Sequence, residues 1–209
     1  MKKIFCTFDQ SSSARNEDEI GVLAETLANQ SFSKCEVHLF AKGKASNRAV
    51  RLLRDTNKGL NVTVWKTGDG PRKTYREFLD NTAAEYVCHL GTEAMYGEGY
   101  LEEAAMFFRL PMVNIIGKGC HYRASEKGAV SLTDETKENR MVSAVPADSV
   151  AVRKSVLTPD MLHGLLNEKA FVADDDGIFS TYRYGYIQRP SPGAEIDDNK
   201  WILKSGDGE

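Results

Sequence analysis

The sequence predicts an α/β fold: a mainly parallel central sheet with helices on both faces, followed by a smaller mixed region. Two observations carry that expectation. From residue 2 to residue 116, short apolar runs alternate with stretches whose apolar residues recur at helical spacing, which is the rhythm of βαβ units. Beyond residue 120 the runs shorten and that alternation is lost.

Residues 2–8 read as a first strand. Within 14–29, Ile20, Leu23, Ala24, Leu27 and Ala28 fall at i, i+3, i+4, i+7 and i+8, one face of a helix. A second strand over 35–41 sets Val37, Leu39 and Ala41 on one side with polar partners between them. A helix carrying Ala49, Val50, Leu52 and Leu53 follows, then a strand over 61–65. Pro71 suits the first position of a helix whose buried face is Tyr75, Phe78 and Leu79. Residues 85–90 make a fourth strand, and Tyr100, Leu101, Ala104, Ala105, Phe107 and Phe108 a fourth helix. A fifth strand over 112–116 runs into Gly117-Lys118-Gly119. The second part offers β-like pieces at 127–132, 140–144 and 148–153, a helix near 160–167 and another from about 174. In parallel sheets ligands sit beyond the carboxyl ends of the strands, so the loops at 7–13, 42–46, 66–71 and 91–97 are expected to line a site.

Composition excludes several classes. Net charge is −3 with both signs mixed along the chain, so neither nucleic acid nor an anionic membrane has electrostatic support as a partner. No run reaches the roughly 20 apolar residues of a membrane span, and 1–8 reads as a strand rather than a leader. Cys6, Cys35, Cys88 and Cys120 form no CxxC pair, and the first three lie in apolar runs. They read as small hydrophobes of a reduced, cytoplasmic compartment. His38, His89, His121 and His163 show no metal-ligand spacing, and neither GxGxxG nor GxSxG occurs.

Three features bear on chemistry. In Thr67-Gly68-Asp69-Gly70-Pro71-Arg72-Lys73-Thr74, Thr67 and Arg72 stand where a phosphate-cradling loop requires glycine, and Pro71 lacks the amide. What remains is a tight turn with Arg72 and Lys73 at a helix N-terminus: a place for an anion, or a solvated face. At the end of the fourth strand, Leu90-Gly91-Thr92-Glu93 sets one carboxylate in the expected crevice, where it is either a cation ligand or an ordinary loop residue. Asp174-Asp175-Asp176 precedes Ile178, Phe179 and Tyr182. Adjacent carboxylates raise at least one pKa and suit a general base, while capping of the following helix accounts for one of the three.

This order of features resembles the GT-A-fold glycosyltransferases, close to the large family-2-like group, over roughly residues 2–190. The resemblance rests on Glu25-Thr-Leu-Ala-Asn-Gln30, Gly68-Asp-Gly-Pro-Arg-Lys73, Ala84-Glu-Tyr-Val-Cys-His-Leu90, Tyr96-Gly-Glu-Gly-Tyr-Leu101, and Ala173-Asp-Asp-Asp-Gly-Ile-Phe-Ser180 with Gly185-Tyr-Ile downstream. The chain departs from the family at its Asp-x-Asp motif, where Gly91-Thr92-Glu93 stands, and at the end of the second strand, Ala41-Lys42-Gly43, which lacks an aspartate. The overall character also resembles a chlorovirus-type capsid-glycan glycosyltransferase domain.

The resemblance implies a GT-A domain over 1–190, with a nucleotide-sugar part at 1–119, an acceptor part at 120–190 and a tail or linker at 191–209 that further domains would follow. It implies a sugar transferred from a nucleotide-sugar, a UDP-hexose or UDP-deoxyhexose such as rhamnose, to a hydroxyl of a glycan or glycoprotein acceptor. Thr7 and Phe8 would hold the base, Asp69 a uracil N–H, and Arg72, Lys73 and Thr92 the rest of the donor. Glu93 would ligate Mn2+ or Mg2+. Asp175 would deprotonate the acceptor with inversion, with Asp174 and Asp176 as alternates, in the cytoplasm (the host's, if the chain is viral). Two alternatives stay open: a catalytically silent GT-A-like module that binds a nucleotide or glycan, and a phosphate-binding α/β enzyme using Arg72 and Lys73.

Overall fold

The alternation in the first half of the chain closes into parallel pairing. Strands β1 (Ile4–Gln10), β2 (Cys35–Ala41), β3 (Asn61–Lys66) and β4 (Tyr86–His89) lie in the order β3-β2-β1-β4. Helices α1 (Glu17–Ala28), α2 (Ser46–Thr56) and α3 (Pro71–Asn81) form the connections. The computed structural model describes residues 4–10, 17–32, 35–41, 46–56, 61–68, 70–173, 177–182 and 185–189. From β1 the chain builds outward through β2 and β3, then crosses back to pair β4 on the other side of β1. The strand order therefore reverses between β1 and β4, the place where open α/β sheets bind ligands.

The second half supplies β5 (Ala94–Tyr96), α4 (Tyr100–Phe107), β6 (Ile115–Gly117), β7 (Tyr122–Ala124), β8 (Val130–Leu132), β9 (Arg140–Val142) and β10 (Ala144–Pro146). It continues with β11 (Ala151–Arg153), α5 (Pro159–Asn167), β12 (Ala170–Val172), β13 (Ile178–Ser180) and β14 (Tyr186–Gln188). The main sheet extends as β4-β11-β6-β13-β9, with β11 antiparallel to both neighbours. A second sheet has the order β5-β14-β7-β8, and β10 pairs with β12.

Period-2 alternation assigns side chains to the two faces. Val37, Leu39, Tyr86 and Cys88 pack with Leu23 and Leu27 of α1, Leu53 of α2 and Leu101 of α4. Phe40 and Val87 pack on the other side with Tyr75 and Phe78 of α3 and Leu162 and Leu165 of α5. Helices thus cover both faces, as the sequence predicts. Cys35, Cys88 and Cys120 are not in disulfides, and burial pushes the Cys88 thiol up to about 12, so it packs as a small apolar group. No described helix is long and apolar enough to cross a membrane.

Two expectations are corrected. The strand expected over 112–116 begins only at Ile115, because Val113 N–H closes a turn onto the Leu110 carbonyl after Pro111 and Met112 points into solvent. The helix expected from about 174 is strand β13. Ile178 and Ser180 are fully buried and Phe179 only partly so, and the segment fills the slot between β6 and β9, where ladder partners wait on both sides. Helix capping therefore no longer accounts for Asp174, Asp175 and Asp176, which lie outside the described residues together with Asp69 and the tail.

Candidate functional site

Beyond the carboxyl end of β4 lies a cavity of about 170 Å³. His89, Gly91, Thr92, Glu93 and Asp148 line one side of it, residues 165–169 at the C-terminal end of α5 another, and Gln188 of β14 contributes the remainder. It sits beside the strand-order reversal, since Thr7 of β1 is in register with His89.

The turn that carries Glu93 is pinned from several directions. Gly91 N–H donates to the Tyr96 hydroxyl (2.7 Å), and that hydroxyl donates to the carbonyl oxygen of Asp148 (2.7 Å). Arg189 N–H donates to the Glu93 carbonyl (2.7 Å), and His89 N–H to the Val150 carbonyl (2.9 Å). Asp148 occupies a 3-10 turn over Ala147–Ser149, which closes because the Ser149 hydroxyl donates to the Pro146 carbonyl (2.7 Å). Ala147 N–H donates to the Lys169 carbonyl (3.0 Å), fastening that turn to the end of α5. Gln188 is held in place by His121, whose Nε2 lies 3.4 Å from its Oε1, and by Arg123 Nε–H, which donates to the same oxygen (3.1 Å).

Electrostatically the cavity is carboxylate-rich. Burial pushes the Asp148 carboxyl up to about 6; the Tyr186 hydroxyl, donating to Oδ1 at 2.6 Å, works against that, and the Glu93 carboxylate adds to it. Thr92 is buried and its hydroxyl oxygen has no hydrogen-bond partner among the described residues. No described group of three or more His, Cys, Asp and Glu is set to hold a metal ion. The polar lining residues Thr92, Glu93 and Asp148 carry only oxygen in their side chains. That suits a hard cation such as Mg2+ or Mn2+ completed by phosphates and water, and does not suit a soft metal.

The residues expected from the sequence divide clearly. Thr92 and Glu93 line the cavity. Thr7 and Phe8 lie on β1, the strand beside it, and only their backbone is described. Arg72 and Lys73 occupy the first turn of α3, and neither lines the cavity. Arg72 Nε instead pairs with Asp160 Oδ1 at 2.7 Å, both side chains exposed, at the N-terminal end of α5. The cavity lies at the other end of α5, about 10 Å away along the helix. Sequence reasoning missed Asp148 and Gln188: residue 148 opens the β-like piece expected over 148–153 with nothing to single out its carboxylate, and Gln188 carries no motif at all.

No family model matches the sequence, and no curated protein matches it. Solved structures do match the fold. S. aureus TarS 1–349 superposes with a TM-score of 0.57 at 15% identity, covering 90% of this chain and 60% of that one. The same protein in complex with UDP-GlcNAc gives 0.58 at 14% identity, with 91% and 59% covered. The 4-diphosphocytidyl-2C-methyl-D-erythritol synthase of Anaerococcus prevotii gives 0.50 at 10% identity, with 95% and 92% covered. The fold is GT-A. The chain spans about 60% of TarS 1–349 and 37% of the longer TarS structure. One sheet thus serves proteins of different names, so the fold alone does not choose the chemistry.

Proposed function

We propose that this chain is a glycosyltransferase that moves a sugar from a nucleotide-sugar donor to a hydroxyl of a glycan acceptor. The observation that carries the reading is the carboxylate-lined cavity at the β1/β4 strand-order reversal of a GT-A sheet, with Glu93 in the turn after β4. A UDP-sugar is the donor we favour, since TarS, of like fold, was crystallised with UDP-GlcNAc. The sugar it carries is a hexose or a deoxyhexose. Glu93 would hold Mn2+ or Mg2+, and such an ion offsets the charge on the departing diphosphate. Thr92 would bind the donor, with Thr7 and Phe8 beside the base. Asp175, with Asp174 and Asp176 as alternates, would take the acceptor proton, giving inversion. The chlorovirus-type likeness adds a capsid glycan as acceptor, which none of the compared structures supports.

The decisive measurement is thermal melting with nucleoside diphosphates, with and without Mn2+. UDP is expected to raise Tm, more so with the metal. No rise with any nucleoside diphosphate, even at millimolar concentration, would sink the proposal. The runner-up, a silent binding module, is favoured by the single carboxylate of Gly91-Thr92-Glu93. It predicts UDP binding with neither transfer nor donor hydrolysis.

A further inference from the structure

We propose that Asp148 supplies the carboxylate that Gly91-Thr92-Glu93 lacks, so that Asp148 and Glu93, from two separate elements, hold one divalent cation between them. This rests on the GT-A reading of the cavity, in which a carboxylate is expected at the position of Gly91 as well as at Glu93.

Space makes the case. A Cβ built on Gly91 would lie 2.6 Å from Asp148 Cβ, 3.0 Å from its Oδ2 and 3.3 Å from its Cγ. The volume that a side chain at position 91 would fill is thus already filled by the side chain of Asp148. The backbone of Gly91 is not in the left-handed region, so its conformation would accept an aspartate; only the occupied space forbids one. The glycine is therefore what a carboxylate arriving from elsewhere requires.

Topology delivers that carboxylate. β11 runs antiparallel to β4 with Ala151 opposite Cys88, and the same register continued three residues sets Asp148 opposite Gly91. Tyr96 then rivets the two segments, accepting from Gly91 N–H and donating to the Asp148 carbonyl. The Tyr186 hydroxyl holds Oδ1, which leaves Oδ2 as the oxygen turned to the space over Gly91. Independently, Thr92, whose buried hydroxyl has no hydrogen-bond partner among the described residues, is a lining residue of the same cavity. Two carboxylates brought together with no cation repel each other, and one or two carboxylates with phosphates and water are what Mg2+ or Mn2+ commonly accepts.

The test is direct Mn2+ binding by electron paramagnetic resonance without nucleotide, beside a separate UDP titration by calorimetry. Wild type is expected to bind Mn2+, and Asp148→Asn and Glu93→Gln each to weaken it at least ~10-fold. Gly91→Asp alone is expected to lower Tm through the overlap with Asp148. The exchange G91D/D148G, which moves the carboxylate back across the same space, should recover both Tm and Mn2+ binding. If Asp148→Asn does not fold, the exchange variant decides. Wild-type Mn2+ affinity in Asp148→Asn overturns the inference, as does a wild-type protein that binds no Mn2+ at millimolar concentration. UDP binding by a wild-type protein that binds no Mn2+ overturns it while leaving the donor reading intact. Mn2+ binding that needs Asp148 without any UDP binding upholds it and overturns the donor reading.

Discussion

At the scale of single residues, two side chains make separable forecasts. His38 is buried on β2, where the Trp65 indole N–H donates to its Nδ1 at 2.8 Å and the Phe78 ring packs 5.0 Å away. Burial, only partly offset by Glu36, lowers its pKa to about 4. A folded-state pKa below the unfolded one means stability that is fully present above the unfolded value, near 6.5. It is lost as pH falls towards about 4, and the loss is on the order of 3 kcal/mol. Urea unfolding at pH 7 and pH 4.5 should show wild type losing more than His38→Gln on acidification; equal losses would show that His38 does not drive the effect. Asp175 is tested by Asp175→Asn, which removes basicity at nearly constant size. With helix capping no longer a competing role, unchanged melting and a turnover loss of at least ~100-fold are expected. Activity kept there but lost in Asp174→Asn or Asp176→Asn moves the base by one residue. Full activity in all three ends the assignment.

At the scale of elements, a buried ion pair fastens the two parts of the chain. Lys118, just past β6, donates to both Glu103 carboxylate oxygens (2.8 and 2.9 Å) and to the Tyr182 carbonyl, and lies over the Tyr100 ring. One ammonium thereby joins α4, β6 and the segment leaving β13. Burial lowers the Lys118 pKa and Glu103 pulls it back up. Removing one partner of such a pair leaves the other charge buried. Lys118→Ala should therefore cost about 3–5 kcal/mol, seen as a Tm drop of roughly 10 °C. The apolar double replacement K118M/E103L should recover most of it. A loss below about 1 kcal/mol in Lys118→Ala would show that the joint holds without the pair.

At the scale of the molecule, the cavity draws, besides Gln188 of β14, on three stretches far apart in sequence: 89–93, the turn at 147–149 and the end of α5. Binding of UDP with Mn2+ should slow hydrogen exchange at all three together while leaving β8 and β9 unchanged. Protection confined to 67–74 would instead place the anion at Arg72 and Lys73, and would move the donor site to the other end of α5.

The sequence by itself determined the parallel half of the fold, because helical spacing in α1 and α3 and the apolar strands β2 and β4 are local patterns, each complete within about a dozen residues. It also placed Thr92 and Glu93 in the turn after the fourth strand, since the end of a strand before a turn can be read from neighbours along the chain. It misjudged β13, where Ile178, Phe179 and Tyr182 suit either period and the vacant ladder between β6 and β9 made the choice. Asp148 was beyond its reach. Ala151–Arg153 is a three-residue strand with no pattern to fix its partner or direction. Only the antiparallel register against β4 brings residue 148 over Gly91, and a register between distant segments is set by packing on both faces of the sheet rather than by any run of residues.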